Sequence, residues 1–189
     1  MLSAFNPILD TPPVTALVNG HTYRVQSDFR TALAYIRLLS SDETDEDKDL
    51  LGLSMFFPGD IHQGDVSGLL GYISWFIRRG KEPEEGKEKK TRLFDVLVDS
   101  GRIYSAFFQA YRINLNKAQL HWWLFGELLE GLPKGTHLAD VIEIRGRKEE
   151  KWMSAADRLE LARAKDYYRI EDNPKDVMGD LFSFLAGLS

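Results

Sequence analysis

Residues 119–131 read QLHWWLFGELLEG. Apolar residues recur there at helical spacing, which predicts a helix over 116–131. Asn114 or Asn116 offers its N-cap, and Gly131 and Pro133 bracket its end. At about 100° per residue, Asn116, Gln119, Gly126, Glu127 and Glu130 fall on one side. Trp122, Leu124, Phe125, Leu128 and Leu129 fall on the other. His121 lands on the apolar side and Trp123 among the polar residues.

The motif therefore splits into two questions. His121 reads either as a catalytic base or metal ligand, or as a neutral core histidine bonded to a carbonyl or carboxylate. The other histidines, at 21, 62 and 137, are scattered singly, which favours the core. A tryptophan on a polar face must be covered, either by another segment of this chain, such as the C-terminal helices, or by a partner. The candidate partner-binding residues are Trp123 with Gln119, and Phe182 with Leu185 in the C-terminal tail.

Upstream, a helix over 95–112 places Val96, Leu97, Ile103, Tyr104, Phe107, Phe108 and Tyr111 on one face. Together with His121, Trp122 and Phe125, the residues Tyr104, Phe107, Phe108 and Tyr111 form the expected core motif. Asp95 and Asp99 lie one helical turn apart. With Arg92 and Arg102 near, they read as a surface salt-bridge arrangement rather than an acid–base pair.

The N-terminal part carries a different signal. Residues 14–25, VTALVNGHTYRV, read as a β-hairpin turning at Asn19-Gly20, with Tyr23 and Val25 inward. Helices follow at 28–40, with Ser27 as N-cap, at 46–57, closed by Pro58-Gly59, and at 65–79. Gly68 and Gly71 in the third lower its propensity and suit a close helix approach. The stretch 78–92, RRGKEPEEGKEKKTR, reads as a mobile surface loop. Further on, 136–146 is helical, and Ser154 with Asp157 resembles a capping box.

Composition excludes several functions. The 189 residues are 43% apolar and 12% aromatic, enough for a core, and carry a net charge of −5, which disfavours nucleic acid or an anionic membrane as partner. There is no cysteine, so thiolate metal sites and cysteine nucleophiles are excluded. No stretch reaches the roughly 18 apolar residues of a membrane helix. No phosphate loop, dinucleotide fingerprint, HExxH or GxSxG is present. Asp60, His62 and Asp65 in GDIHQGD invite a metal or hydrolase reading, but a turn leading into a capped helix explains them more simply. The run EIRGRKEEK, 143–151, reads as a solvated helix end. The expectation is a cytoplasmic non-enzyme without metal or cofactor.

The ordered blocks FDVLVDSGRIYSAFFQAYRINL, LHWWLFGELLEGL and VIEIR resemble the phage gene-product-fifteen family, as does the opening VNGHTYRVQSDFRTAL. The resemblance covers roughly residues 14–150. Asn114 stands where the family often has Asp. The resemblance implies a tail assembly chaperone, in the cytoplasm of the bacterial host, that binds the tape measure protein and keeps it soluble until the tail tube forms. Tail tube protein and a second copy of the chain are the further partners it suggests. A structural component of the tail or neck, retained in the virion, is the alternative.

The expected fold is mainly α, a compact bundle of about six to eight helices with a small N-terminal hairpin. Residues 1–13 form an extension and 14–170 a single helical domain. Residues 171–189 form an apolar tail or short helix.

Overall fold

The computed structural model describes residues 5–81 and 93–171. Most of the expected loop, residues 82–92, and the tail with Phe182 and Leu185 lie outside them. Among the described residues are two strands and seven α-helices, so the fold is mainly α with an N-terminal hairpin. Their contacts form two compact units. Residues up to 81 with 119–127 make one unit; 93–118 with 128–171 make the other.

The first unit opens with the hairpin β1 (Thr15–Val18) and β2 (His21–Arg24), paired antiparallel with Val18 opposite His21. Asn19 and Gly20 both have positive φ, at 48° and 85°. That is the backbone a two-residue hairpin turn demands and Asn-Gly tolerates. Ala16, Tyr23 and Val25 are buried.

Helix α1 (Phe29–Leu39) begins one residue later than expected, because Asp28 is the N-cap and accepts from the Arg30 amide. Ser27 is engaged elsewhere: its carbonyl takes the Trp122 amide, while the Phe29 amide donates to Leu120. Helix α2 (Asp45–Phe56) is capped by Thr44, whose hydroxyl accepts from the Asp47 amide.

Helix α3 (Val66–Ile77) buries Leu69, Ile73, Phe76 and Ile77. A Cβ at Gly68 would sit 2.5 Å from a Val18 methyl, so this glycine admits the hairpin rather than another helix. Gly71 faces open space. The helix ends in a Schellman arrangement: the Arg79 amide donates to Phe76 and the Gly80 amide to Trp75. Arg79, not glycine, takes the left-handed position, at φ 56°. It is 7% exposed, so the stretch expected as a surface loop from residue 78 begins with a buried arginine.

In the second unit α4 spans Ser100–Tyr111, five residues later than expected. The Asp95 carboxylate accepts from the amides of Leu97 and Val98, both at 2.7 Å, and so holds 95–99 in a turn. Ile103, Ala106 and Phe107 are buried, but Phe108 is 47% exposed and leaves the expected core motif. Tyr104 and Tyr111 are half-buried, and the Tyr111 hydroxyl donates to the Leu128 carbonyl.

Helix α5 (Trp122–Glu130) starts six residues later than expected. Residues 120–122 are bridged to 27–29 as a short extended pair, which forbids helix there. Helix α6 (His137–Gly146) is capped by Thr136 and buries Leu138, Val141 and Ile142. Helix α7 (Ala155–Tyr167) has the Ser154–Asp157 capping box, with both reciprocal bonds present. Leu161 is its buried residue.

The two glycines of α3 give a paired prediction. Gly71→Ala should raise stability by about 0.5–1 kcal/mol, through helix propensity and a less flexible unfolded chain. Gly68→Ala should forfeit that gain, because its methyl must displace Val18. Urea unfolding of both variants measures the contrast.

Candidate functional site

The three central residues of LHWWLF each satisfy a helix end. A helix leaves its first four N–H groups and last four carbonyls without intrahelical partners. The indole N–H of Trp122 donates to the Ile77 carbonyl, and that of Trp123 to the Phe76 carbonyl, each at 2.9 Å. Both acceptors lie in the last turn of α3, and the Phe76 carbonyl also accepts from the Arg79 amide, so Trp123 supplies its second bond and Trp122 serves Ile77. Each such bond contributes about 1 kcal/mol net, and a buried orphan would cost about 1–3.

His121 serves the start of α5. Its carbonyl accepts from the Phe125 amide. Its Nδ1 lies 3.0 Å from the Trp123 amide, and its Nε2 lies 2.9 Å from the Pro13 carbonyl. An amide only donates and a carbonyl only accepts. The ring is therefore neutral, with its proton on Nε2. Burial holds its pKa below the usual 6.5, against the opposing pull of the Pro13 carbonyl.

The sequence reading puts Trp123 on a polar face, to be covered by another segment of this chain, such as the C-terminal helices, or by a partner. It is 3% exposed, and its cover comes from within the first unit. Trp75 meets its ring edge-on at 5.1 Å and Phe5 at 5.0 Å. The polar side of α5 is partly covered too. The Arg79 side chain crosses Gly126, where a Cβ would meet its guanidinium at 2.4 Å, and pairs with Glu127 at 3.1 Å. Gly126 thus makes room for Arg79, and Glu127 pairs with it at the edge of solvent. Gln119 is exposed.

A second polar centre anchors the hairpin. Asp65, 2% exposed, accepts from the Tyr23 hydroxyl, from Asn19 Nδ2 at 2.8 Å, and pairs with His21 Nδ1 at 2.7 Å. The Tyr23 hydroxyl first, then Asn19, hold its carboxyl below the usual range, although burial opposes them. The His62 ring stacks on His21 at 4.1 Å. Asp65 thus serves the hairpin turn, and no three-residue metal-binding group is found among the described residues. Tyr72, its pKa pushed up to about 12 by burial, donates to the Thr15 carbonyl of β1.

The second unit holds a buried ion cluster. Asp99 is 0% exposed and receives Arg145 through both terminal nitrogens, at 2.7 and 3.0 Å, and Arg102 at 2.8 Å. Arg145 also donates to the carbonyls of Tyr168, at 2.6 Å, and Leu93, at 3.0 Å. The expected surface pairing of Asp95 and Asp99 is corrected by this burial: Asp95, at 5% exposure, holds a turn, and Asp99 is a fork for arginines. Arg145, read in sequence as part of a solvated helix end, is the hub. Its signal was VIEIR, an arginine one turn after buried Val141 and Ile142 on the same helix.

The model of the family described as Bacteriophage Gp15 protein matches residues 9–170. The chain belongs to that family. No curated protein and no solved structure matches it. In this Gp15 family member the matched range takes in both units and all seven described helices. No helix among the described residues is long and apolar enough to cross a membrane.

Protonating His121 would place an N–H where Nδ1 must accept. Below pH 6.5 the unfolded chain takes up this proton before the folded one does. Stability should therefore fall as pH drops from 6.5 through the lower folded pKa, by at most about 1.4 kcal/mol per pH unit. His121→Asn keeps a capping oxygen but does not titrate, and should flatten that part of the stability–pH curve. Unfolding titrations of both proteins at several pH values make the comparison. Arg145→Ala should cost about 3–5 kcal/mol by leaving buried Asp99 short of its main partner. An Asp99→Leu/Arg145→Met double variant should recover much of that loss in the same assay.

Proposed function

We propose that the protein is a non-enzymatic tail assembly chaperone that binds the tape measure protein in the host cytoplasm and keeps it soluble until the tube encloses it. Membership of the phage family carries the reading, and the distribution of polar groups supports it. Asp65, Asp99, His121, Arg145 and both indole N–H groups are engaged in holding turns and helix ends. No catalytic residue is needed for the proposed task.

The task needs apolar contact with a long helical client, whose exposed stripes would otherwise aggregate. Helical surfaces offer such contact here. Leu50 and Leu51 are 67% and 45% exposed on α2, and Phe108 and Leu159 are exposed on α4 and α7. Many copies along one client give avidity, while weak single contacts let tube subunits displace them. Tail tube protein and a second copy of the chain are the other partners this reading admits.

Co-expression with the cognate tape measure protein, followed by pull-down, is the direct test. Association, with insoluble tape measure protein when this gene is deleted, is the expected result. Mass spectrometry of purified virions separates the structural alternative. A chaperone should be absent from them, and a fixed copy number in the virion would overturn the chaperone reading.

A further inference from the structure

The segment from Phe5 to Pro13 is held differently from the rest of the first unit. Its own turn is self-contained: Asn6 Oδ1 accepts from the amides of Ile8 and Leu9, and Asp10 accepts from the Asn6 amide at 2.8 Å. That turn points Ile8 and Leu9 into solvent, 90% and 80% exposed, so neither buries apolar surface to hold the segment down. Asn6 to Thr11 are all exposed, whereas Phe5, Pro12 and Pro13 are half-buried. The segment is fastened at its two ends. At one, the Pro13 carbonyl accepts from His121. At the other, Phe5 stands edge-on to Trp123, with rings 5.0 Å apart at 77°.

What Phe5 meets is an aromatic slot built by better-anchored parts. Trp123 is fixed by its bond to the Phe76 carbonyl, and Trp75 meets it at 62°. Gly80, in the left-handed region at φ 73°, brings backbone close to the Trp123 ring, where a Cβ would lie 3.0 Å away. Elements with few buried apolar contacts open at low free energy while their surroundings stay folded. Lifting Phe5 would bare the Trp123 edge without breaking either indole hydrogen bond.

We infer that residues 5–13 are a displaceable strap, and that the slot Phe5 fills beside Trp123 receives an aromatic side chain of a partner helix. The chemistry of the occupant is read from the occupant present: a phenyl ring that stands edge-on to the Trp123 indole. The Trp123 indole N–H is already committed to the Phe76 carbonyl, so what that ring offers there is apolar surface. The inference rests on the proposed function for the identity of the partner, but not for the strap itself. In the resting chain the strap competes with the partner for the slot.

The test uses the full chain with Trp152→Phe, which removes the 71% exposed indole. Acrylamide quenching of the remaining tryptophans should rise about twofold in Phe5→Ala, with the circular dichroism of the parent retained. Phe5→Leu, which still fills the slot, should lie between them. N-acetyl-phenylalaninamide at millimolar concentration should protect Phe5→Ala from the quencher. Tape measure protein should bind Phe5→Ala at least about threefold more tightly than the parent, since the internal competitor is gone. Quenching unchanged by Phe5→Ala would overturn the strap. Raised quenching with client affinity equal to or below the parent's would overturn the slot as the docking place. A client that binds neither protein, while quenching rises as expected, would overturn the chaperone reading and leave the strap standing.

Discussion

The first unit depends on one constraint, the need of α3 and α5 to satisfy backbone groups at the ends where they meet. Two adjacent indoles close the last turn of α3, and the preceding histidine closes the first turn of α5. The same three residues thus do for two helices what separate caps usually do for one each. Only large side chains with a polar edge suit the task, since the donor must reach across while the ring fills the gap. Phenylalanine at 122 would retain much of the apolar area but orphan the Ile77 carbonyl. Burial and hydrogen bonding are inseparable here, which explains two tryptophans where one apolar residue would have packed.

The close of α3 adds a second layer to that constraint. Arg79 accepts a left-handed backbone that costs an L-residue roughly 1–2 kcal/mol. Its side chain then runs over Gly126 to Glu127. The glycine at 80, one residue later, is used for its close pass by Trp123 rather than for the first left-handed position. Backbone strain at one residue is offset by an ion pair and by cover for the outer side of α5. In the second unit Asp99 and Arg145 play the corresponding part. Arg145 ties the approach to α4, at Leu93 and Asp99, to the end of α7, at Tyr168.

What was legible in the sequence was local. Asn19-Gly20 specifies its own turn, and Ser154-Ala-Ala-Asp157 its own cap, because each acts over three or four residues. The periodic apolar residues of α1, α3 and α6 likewise placed those helices within a residue or two, as Pro58-Gly59 did for the end of α2. The failures share a cause, a partner far along the chain. The start of α5 is set by pairing with residues 27–29, so a wheel drawn from 116 placed His121 on a helix that does not include it. The polar face assigned to α5 was real as composition, yet its complement, Arg79, lies 48 residues away. Asp99 looked like a surface acid because Arg145, 46 residues on, had not been paired with it. Asp95 shows the converse. A short-range bond to its own neighbours was available to sequence reasoning, and it displaced the helix start that periodicity suggested.

This distribution of polar groups also limits how the residues at these helix ends can recognise a partner. A side chain whose donor already closes a helix cannot read a partner's hydrogen bonds without releasing that helix. Trp123 retains only ring surface to offer, and the leucines and Phe108 on the helix exteriors have no polar atoms. Contacts made through such surfaces discriminate by shape and apolar area, not by sequence, so each is tolerant and individually weak. A client with the same apolar stripe repeated along a long helix turns that tolerance into an advantage. Every repeat is then an acceptable site, and occupancy depends on the number of sites rather than on the strength of any one.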